Sequence, residues 1–445
     1  MINWVRESII YELFLLGFCG VLDPDKKYTS ENRIKKLEQF IIHLKELNVN
    51  AVYLGPIFES TYHGYDTINY FKVDQRLGTN DNFKEICKLL HENGIKIILD
   101  GVFNHVGRDF FAFKDVQKNR ENSKYCSWFV NLNFNGNTCM NDGFYYDSWS
   151  GCYDLVKLNV RNPEVSSYLL KAVGYWIEEF DIDGLRIDAA DTIDFEFLKQ
   201  LRSFTDSKKK DFWLMGEVVH GDYSRWANNE MLHSVTNYEC YKGLYSSHND
   251  KNYFEIAHSL NRQFGKGGIY ENLCLYNFVD NHDVNRLASM LKEPENIYNV
   301  YTLLYTMPGV PSIYYGSEYG IQGEKGVGTD APLRPELDID NLENPNKKLY
   351  KYLCKLGKIR KQSQALMYGN YEAVLIKNEQ FVFSREINGE KVYIALNLSK
   401  EDSYLSFKVC FERGANLLSA DEKIINWENA NIIVPPHSAK IIKSI

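Results

Sequence analysis

The sequence has 445 residues, of which 44% are hydrophobic and 25% charged, and its net charge is −8. This is the composition of a globular protein long enough for one large domain and a smaller one. The acidic balance, with only short basic runs, argues against nucleic acid as a partner, because proteins that bind phosphate backbones carry a basic face. No apolar stretch reaches the ~20 residues of a membrane span, and no export signal is recognisable, so we predict a soluble, cytoplasmic protein.

Strand-like and helix-like patterns alternate along most of the chain. A short apolar run near the N-terminus is followed by apolar residues at helical spacing over 34–47, and a further helix pattern covers 165–180. The strand candidates are residues 8–16, 51–54, 95–99, 184–187, 212–215, 234–236, 275–279 and 312–315. Eight strand-then-helix units predict an α/β fold, a parallel (β/α)8 TIM barrel.

Two stretches break this alternation. Residues 106–160 are rich in Asn, Gly, Tyr and Phe without a clear period, and a structureless loop of this length is improbable inside a compact domain. Beyond residue 368, alternating strand patterns are joined by turn signals. We therefore predict a catalytic barrel over 1–105 and 161–367, an inserted domain B over 106–160, and a C-terminal all-β sandwich over 368–445.

Four acidic residues follow predicted barrel strands, namely Asp100, Asp188, Glu217 and Asp283. The carboxyl ends of barrel strands form one rim, where the chemistry of such folds takes place. Carboxylic acids that converge on a pocket repel one another, which suits one to act as an acid and another as a base or nucleophile. A pair of such groups is what glycoside hydrolysis requires.

Three basic or polar side chains accompany these acids. Arg186 lies two residues before Asp188, so both point to one face of the strand, and a guanidinium there is expected to keep Asp188 ionised. His105 and His282 are expected to donate to sugar hydroxyls. Any one acid taken singly is more often a helix N-cap than a catalyst. The four acids together with these three side chains favour an active site at the rim of the barrel.

The residues resemble glycoside hydrolase family 13, the α-amylase family. The four dispersed motifs of that family are similar to Asp100-Gly-Val-Phe-Asn-His105, Gly184-Leu-Arg-Ile-Asp188, Gly216-Glu217-Val218 and Phe278-Val-Asp-Asn-His-Asp283, in the right order. The resemblance implies Asp188 as nucleophile, Glu217 as general acid/base and Asp283 as a stabiliser of the transition state. It implies substrate binding by Tyr65, Asp66, His105, Arg186, His282, Asp330 and Arg334. The implied partner is an α-glucan oligosaccharide.

Within this family, Leu155-Val-Lys-Leu-Asn159 resembles the branch of neopullulanases, cyclomaltodextrinases and maltogenic amylases. That branch carries an N-terminal domain, whereas here the first barrel strand is expected within ten residues of Met1. Asn104 matches a calcium ligand of many α-amylases, but Asp191-Thr192 stand where Lys-His often follows the nucleophile. A calcium site needs 6–8 oxygen ligands, so we assign no metal ligand and no cofactor, with calcium as the alternative.

These observations predict a retaining hydrolase of α-1,4-linked maltodextrins that works through a covalent glycosyl-enzyme intermediate. Two alternatives stay open. One is a transglycosylase or isomerase of the same family, since water and sugar compete for one intermediate. The other is a non-catalytic carbohydrate-binding relative, which would be expected to lack one or more of the carboxylates.

Overall fold

The computed structural model describes residues 2–23, 28, 31–409, 413–418, 425–426 and 430–444, and its centre is an eight-stranded parallel sheet. The strands are β1 (Ile10–Leu13), β2 (Ala51–Leu54), β3 (Lys96–Gly101), β4 (Gly184–Ile187), β5 (Trp213–Gly216), β6 (Ser234–Val235), β7 (Tyr276–Asn277) and β8 (Val310–Tyr314). The sheet runs in the order β6-β5-β4-β3-β2-β1-β8-β7. A parallel bridge between Thr236 and Tyr276 joins its two edges, so the sheet closes into a barrel.

Eight longer helices surround the strands. They are α1 (Lys36–Glu46), α2 (Asn80–Glu92), α3 (Pro163–Phe180), α4 (Phe195–Lys208), α5 (Tyr238–Asn249), α6 (Tyr253–Phe264), α7 (Ile297–Thr306) and α8 (Lys347–Lys361). Several begin at a side-chain cap, such as Asn162 before α3 and Asp194 before α4, which satisfy free main-chain N–H groups. Shorter helices cover Asn3–Arg6, Leu15–Phe18, Leu287–Met290 and Gln364–Tyr368.

One connection departs from the predicted strand-then-helix rhythm. Between β5 and β6 the described chain has no α-helix, and only the single 3-10 turn Tyr223–Arg225 lies there. Gly221 in this connection has a φ of 103°, a conformation that suits glycine and interrupts helical geometry. Two helices, α5 and α6, instead follow β6.

The interior of the barrel is filled by side chains that alternate along the strands. Ile10, Ala51, Ile98 and Met215 belong to one buried cluster inside the sheet. The opposite faces of the strands pack against the helices in a second, larger cluster. Because side chains two residues apart share a face, Glu12 points inward above Ile10, and the polar site described below is the top layer of this interior.

Two antiparallel additions flank the barrel. After β2, Phe58–Ser60 pairs with Thr67–Val73. After β3, the strands His105–Gly107, Cys152–Lys157 and Ser148–Trp149 form a three-stranded sheet, accompanied by the helix Phe111–Asn119. The inserted region is therefore a small folded unit next to the carboxyl end of β3.

The C-terminal part is an antiparallel sandwich. Its strands are β9 (Asn370–Ile376), β10 (Gln380–Ile387), β11 (Glu390–Asn397), β12 (Ser403–Phe407), β13 (Arg413–Asn416), β14 (Ile425–Asn426), β15 (Ala430–Val434) and β16 (Ser438–Ser444). A six-stranded sheet, in the order β9-β10-β11-β16-β13-β14, faces the pair β12-β15. Val382, Tyr393, Leu405 and Ile432 form the core between them.

The predicted fold class, a TIM barrel with an inserted domain and a C-terminal all-β sandwich, is confirmed. The exact domain limits stay a prediction, and residues 410–412, 419–424, 427–429 and 445 of the predicted C-terminal domain lie outside the described residues. In the described part of the chain, no helix is both long enough and apolar enough to cross a membrane.

Candidate active site

The top layer of the barrel interior is polar. Glu12 of β1, Tyr53 of β2, Asp100 of β3, Arg186 of β4 and Tyr276 of β7 are all 2% exposed. Each lies near the carboxyl end of its strand, so the side chains converge under the open rim of the barrel. Buried polar groups are costly unless they bond to one another, and in this layer they do.

Arg186 is the centre of the layer. Its Nη1 lies 2.9 Å from Asp100 Oδ1 and 2.9 Å from Asp188 Oδ1, while Nη2 lies 2.7 Å from Glu217 Oε2. The side chains of Asp188 and Glu217 are 11% and 14% exposed, so they face the open side of the barrel. One planar guanidinium thus holds both carboxylates by separate nitrogen atoms, which fixes their relative position.

The backbone after Asp188 is strained. Ala189 adopts the left-handed conformation with a φ of 44°, which is unfavourable for a residue with a Cβ. In this conformation its N–H donates to Glu217 Oε2 at 3.0 Å. The strain therefore has a visible result, since it turns a main-chain donor toward the second carboxylate.

Burial dominates the protonation of these two acids. Despite Arg186, burial together with the nearby carboxylates raises the pKa of Asp188 to about 8. Burial also raises the pKa of Glu217, against the effect of Arg186. Arg186 therefore favours the ionised form of Asp188, as expected of a neighbouring guanidinium, but burial and the neighbouring carboxylates act in the opposite direction. Both acids therefore hold a proton more readily than ordinary carboxyl groups do.

His282 lies between two carboxylates. Its Nδ1 is 2.7 Å from Glu12 Oε1, and its Nε2 is 3.0 Å from Asp283 Oδ2. Although burial opposes the charge, Asp283 and Glu12 raise the pKa of His282 to about 10. His282 and Arg334 in turn hold the pKa of Asp283 well below its usual range, despite burial. Asp283, with its side chain 32% exposed, is thus an acid at the rim whose ionised form is favoured by its partners.

Tyr65 and His105 border the same space. The Tyr65 hydroxyl donates to Asp100 Oδ2 at 2.9 Å and lies 2.5 Å from His282 Nε2. His105 Nε2 bonds to the Tyr65 carbonyl oxygen at 3.1 Å, and burial lowers the pKa of His105 to about 3, so it stays neutral. Of the predicted substrate-binding residues, Tyr65, Arg186 and His282 contact carboxylates directly, and His105 adjoins them through the Tyr65 main chain.

Asp66 is placed differently from its expected contact with substrate. Its carboxylate is turned into its own loop, where it accepts the main-chain N–H groups of Tyr62, His63 and Gly64 at 2.7 to 3.1 Å. Asp66 is 2% exposed. A carboxylate with three such donors shapes the loop that presents Tyr65, and substrate binding by Asp66 stays a prediction.

Arg334 and Asp330 lie on the loop after β8. Arg334 Nη2 is 3.0 Å from Asp283 Oδ1 and 3.2 Å from Asp330 Oδ2, and its Nε donates to the His282 carbonyl oxygen. The Arg334 side chain is 8% exposed, whereas that of Asp330 is 27% exposed. The pair is therefore formed as predicted, but the guanidinium is directed mainly toward Asp283 and the exposed oxygens belong to Asp330.

A groove lies beside the connection that follows Glu217. A cavity of about 610 Å³ lies beside Val219 and helix α5, with Tyr238, Tyr241 and Tyr245 along its wall. The Tyr238 hydroxyl is 3.5 Å from Glu217 Oε1. Tyr238 thus lines the cavity and also contacts Glu217, so the cavity lies close to this acid.

Sequence reasoning did not select Glu12, Tyr53, Tyr276 or Tyr238. Glu12 carries a visible signal, since it interrupts an otherwise apolar strand. The three tyrosines carry none, because buried tyrosines of ordinary cores have the same pattern.

Asn104, the residue matched to a calcium ligand, bonds within the protein. Its side-chain amide contacts His105 Nδ1 at 3.3 Å, and its carbonyl oxygen accepts the N–H of Leu158 at 3.0 Å. Among the described residues, no three His, Cys, Asp or Glu side chains are grouped as metal ligands would be.

Comparison with known proteins gives a consistent result. Residues 34–332 match the family model described as "Alpha amylase, catalytic domain". The chain is 32% identical over 466 residues to a cyclomaltodextrinase of Thermoanaerobacter pseudethanolicus, covering 99% of this chain and 78% of that protein. It is 31% identical over 413 residues to an intracellular maltogenic amylase of Bacillus subtilis, covering 88% of this chain and 68% of that protein.

A solved structure named cyclomaltodextrinase superposes with a TM-score of 0.88 at 27% identity, covering 100% of this chain and 79% of that one. The acarbose-soaked debranching enzyme of Nostoc punctiforme superposes with a TM-score of 0.83 at 25% identity, covering 99% of both chains.

Proposed function

Because the chain belongs to the α-amylase family of glycoside hydrolases, we propose that it cleaves α-1,4-linked maltodextrins with retention of configuration. In this proposal Asp188 is the nucleophile and Glu217 the general acid/base. The observation that carries it is the contact of one guanidinium, Arg186, with both carboxylates. That contact favours a short separation between them, as in retaining enzymes, where it is about 5–5.5 Å.

In this proposal the pair of Asp188 and Glu217 holds one proton before the reaction starts. Glu217 carries the shared proton and delivers it to the glycosidic oxygen, while the Asp188 carboxylate attacks the anomeric carbon and forms a glycosyl ester. Glu217, now ionised, takes a proton from water, which attacks the same carbon and releases Asp188. Arg186 and the Ala189 N–H are placed to compensate the negative charge that moves between the two acids.

The remaining residues bind the sugar at the cleavage position. Asp283, kept ionised by His282 and Arg334, accepts from sugar hydroxyls and balances the positive charge of the oxocarbenium-like transition state. Tyr65 stacks on the ring, and His105, whose Nε2–H donates to the Tyr65 carbonyl oxygen, holds the Tyr65 main chain beside the sugar. Asp330 accepts from the next sugar toward the non-reducing end, and Arg334 holds both Asp283 and Asp330 in place.

Stereochemistry tests the proposal. Proton NMR of a fresh digest of maltotetraose should show the α-anomer of the new reducing end first, with the β-anomer appearing later by mutarotation. Initial release of the β-anomer would mean that water attacks directly and that Asp188 is not a nucleophile.

The shared proton also predicts a bell-shaped dependence of kcat/KM on pH. Activity falls on the acid side when Asp188 is protonated and on the alkaline side when Glu217 loses its proton. Since burial raises the pKa of both acids, the acid limb should lie above the ordinary carboxyl pKa of about 4.

Substrate length is proposed from the loop after β8. Replacing Arg334 with Ala should lower kcat/KM for maltotetraose more than for a short aryl glucoside, because Asp330 would no longer be fixed beside the second sugar. Equal losses would restrict Arg334 to orienting Asp283.

Transglycosylation is the alternative function. The cavity lined by Tyr238 beside α5 favours it, since an acceptor sugar could bind there. Product analysis at high maltose concentration separates the two: longer oligosaccharides indicate transfer. We also propose an intracellular location, as in the intracellular maltogenic amylase of Bacillus subtilis; cell fractionation tests it.

A further inference from the structure

Glu12 is a buried carboxylate beneath the catalytic acids. It points into the barrel from β1, and its side chain is 2% exposed. Its Oε1 lies 2.7 Å from His282 Nδ1, and its Oε2 accepts the Tyr276 hydroxyl at 2.9 Å. Ser312 Oγ is 2.6 Å from the same hydroxyl. Such a carboxylate is too deep to meet a substrate, so any effect it has on catalysis must pass through His282.

His282 has an acceptor at each ring nitrogen. Glu12 faces Nδ1, while Asp283 Oδ2 and the Tyr65 hydroxyl oxygen face Nε2 at 3.0 and 2.5 Å. The Tyr65 hydroxyl itself donates to Asp100. A neutral imidazole has one N–H and one lone pair, so it can satisfy only one side of this arrangement. The arrangement is complete only when both ring nitrogens carry a proton.

The ring is also held in its plane. Phe14 stacks on His282 with ring centroids 5.8 Å apart, and Tyr65 stacks at 5.5 Å. These two contacts oppose a rotation that would swap the two nitrogens. The ring can adjust to its partners by gaining or losing a proton.

We propose that Glu12 is a positioning residue that keeps His282 doubly protonated during turnover, and thereby keeps Asp283 ionised and fixed. This inference rests on the proposed function, in which Asp283 stabilises the transition state. Suppose that His282 lost the proton on Nε2 while its Nδ1–H still donated to Glu12. The Nε2 lone pair would then face the Asp283 carboxylate. Repulsion would then turn Asp283 away from the sugar.

Other titratable and charged groups surround the pair of Glu12 and His282. The titratable and charged groups around Glu12 and His282 are Tyr53, Tyr65, Asp100, Arg186, Glu217, Tyr276, Asp280, Asp283, Tyr314 and Arg334. Arg334 contacts the His282 carbonyl oxygen rather than the ring. Among the described residues, Glu12 is the carboxylate that contacts Nδ1.

The substitution Glu12→Gln tests the negative charge of Glu12 separately from the shape of its side chain. Glutamine keeps the shape and the oxygen that accepts from Nδ1, and it removes only the negative charge. The pKa of His282 should fall, so its second proton is lost as the pH rises. We expect kcat to drop about tenfold or more near pH 8, with KM nearly unchanged and partial recovery below about pH 6.

The control is Tyr276→Phe, which removes the hydrogen bond to the other oxygen of Glu12 but leaves its charge. Its pH profile should keep the position found for the unaltered protein. A Glu12→Gln loss that is the same at every pH, or an equal shift in Tyr276→Phe, would reduce Glu12 to a packing role and overturn the proposal.

A measurement on the unaltered protein keeps the inference testable if Glu12→Gln does not fold. Nitrogen-15 NMR of histidine-labelled protein should show one ring doubly protonated at pH 8, and this signal should be missing from His282→Gln. A singly protonated His282 would overturn the proposal. Inverted stereochemistry with a doubly protonated His282 would instead contradict the proposed function.

Discussion

At the carboxyl end of the barrel strands, Arg186 lies among three carboxylates, whereas at the opposite end Arg360 and Arg385 bond to main-chain oxygens. Arg360 Nη1 donates to Tyr305 and its Nη2 to Gly309, at 2.9 and 2.7 Å. Arg385 donates to the carbonyl oxygens of Thr306 and Gly369. Among the described residues, neither of these two guanidiniums has a carboxylate within 4.0 Å. Both ends bury positive charge, but they neutralise it differently.

The difference separates fixed from titratable charge. We call the amino end of the barrel strands, where Arg360 and Arg385 lie, the base of the barrel. Several carbonyl oxygens there belong to the last turns of α7 and Gln364–Tyr368, where free carbonyls and the helix dipole attract cations. Burial lowers the pKa of Arg360 to about 10, so it stays charged at neutral pH. At the rim, the guanidinium of Arg186 stays charged, and the neighbouring carboxylates compete with one another for protons. The base therefore joins the barrel to the C-terminal sheet, while the rim can change its protonation state.

The largest expected effect is at the rim. Glu217→Gln keeps the shape of the side chain but cannot deliver a proton, so kcat for unactivated maltodextrin should fall by about 10²–10⁴-fold. Binding of maltotetraose and the melting temperature should change little, because Asp100 and Asp188 still bond to Arg186. Glu230→Gln, an exposed change in the same connection, is the matched control. Near-normal turnover by Glu217→Gln would assign the acid to another residue.

The base should show the reverse behaviour. Arg385→Met leaves two buried carbonyl groups without a donor, so the free energy of unfolding should fall by about 2–4 kcal/mol. The kcat of the folded fraction should be unaffected. Chemical denaturation and steady-state kinetics measure the two quantities, and the exposed Arg161→Met serves as control. A loss of kcat without a loss of stability would contradict the division between the two ends.

A second residue at the base of the barrel makes the free energy of unfolding depend on pH. Asp183, just before β4, accepts from the Ile97 N–H, Lys96 and His91 at 2.8 to 3.0 Å. Despite burial, these partners hold the pKa of Asp183 well below its usual range. The folded state thus gains stability above the unfolded pKa of about 3.9 and loses it as the pH falls.

Asp183→Asn should therefore cost about 2 kcal/mol at pH 7, and this cost should shrink progressively below about pH 4. Denaturation curves at both pH values test it. Asp181→Asn, which is 70% exposed and contacts the same His91, should show almost no cost. A pH-independent cost would mean that geometry rather than charge is responsible.

The smallest effect concerns the strained residue at the rim. Ala189→Gly relieves the left-handed conformation and should raise the free energy of unfolding by about 1 kcal/mol. The same substitution inside α3, Ala172→Gly, should lower it by about 1 kcal/mol. Melting curves of the two variants compare these signs. Destabilisation by Ala189→Gly would show that its methyl packing outweighs the strain.

Sequence patterns predicted the rim better than the base. Asp100, Asp188 and Glu217 were visible because each ends an apolar strand, and parallel strands bring their carboxyl ends together. Glu12 was hidden, since its inward direction depends on which face of β1 lines the barrel. The raised pKa of Asp188 could not be predicted either, because it results from burial that only the closed barrel creates. Arg360 and Arg385 have no sequence signal, since their partners are main-chain oxygens far along the chain.

The joint that closes the barrel has a dynamic consequence. Strands β6 and β7 are two residues long, and between them the Asn237 N–H bonds to the Tyr276 carbonyl oxygen at 2.9 Å. The Asn237 side chain also bonds to Asn277 and Gln263 across this joint. Few main-chain bonds hold it, so local opening should begin there. We expect the Asn237 amide to exchange with deuterium sooner than the β2–β3 amides. Because Glu217 and Asp283 flank the joint, its local opening would vary the distance between these two carboxyl groups.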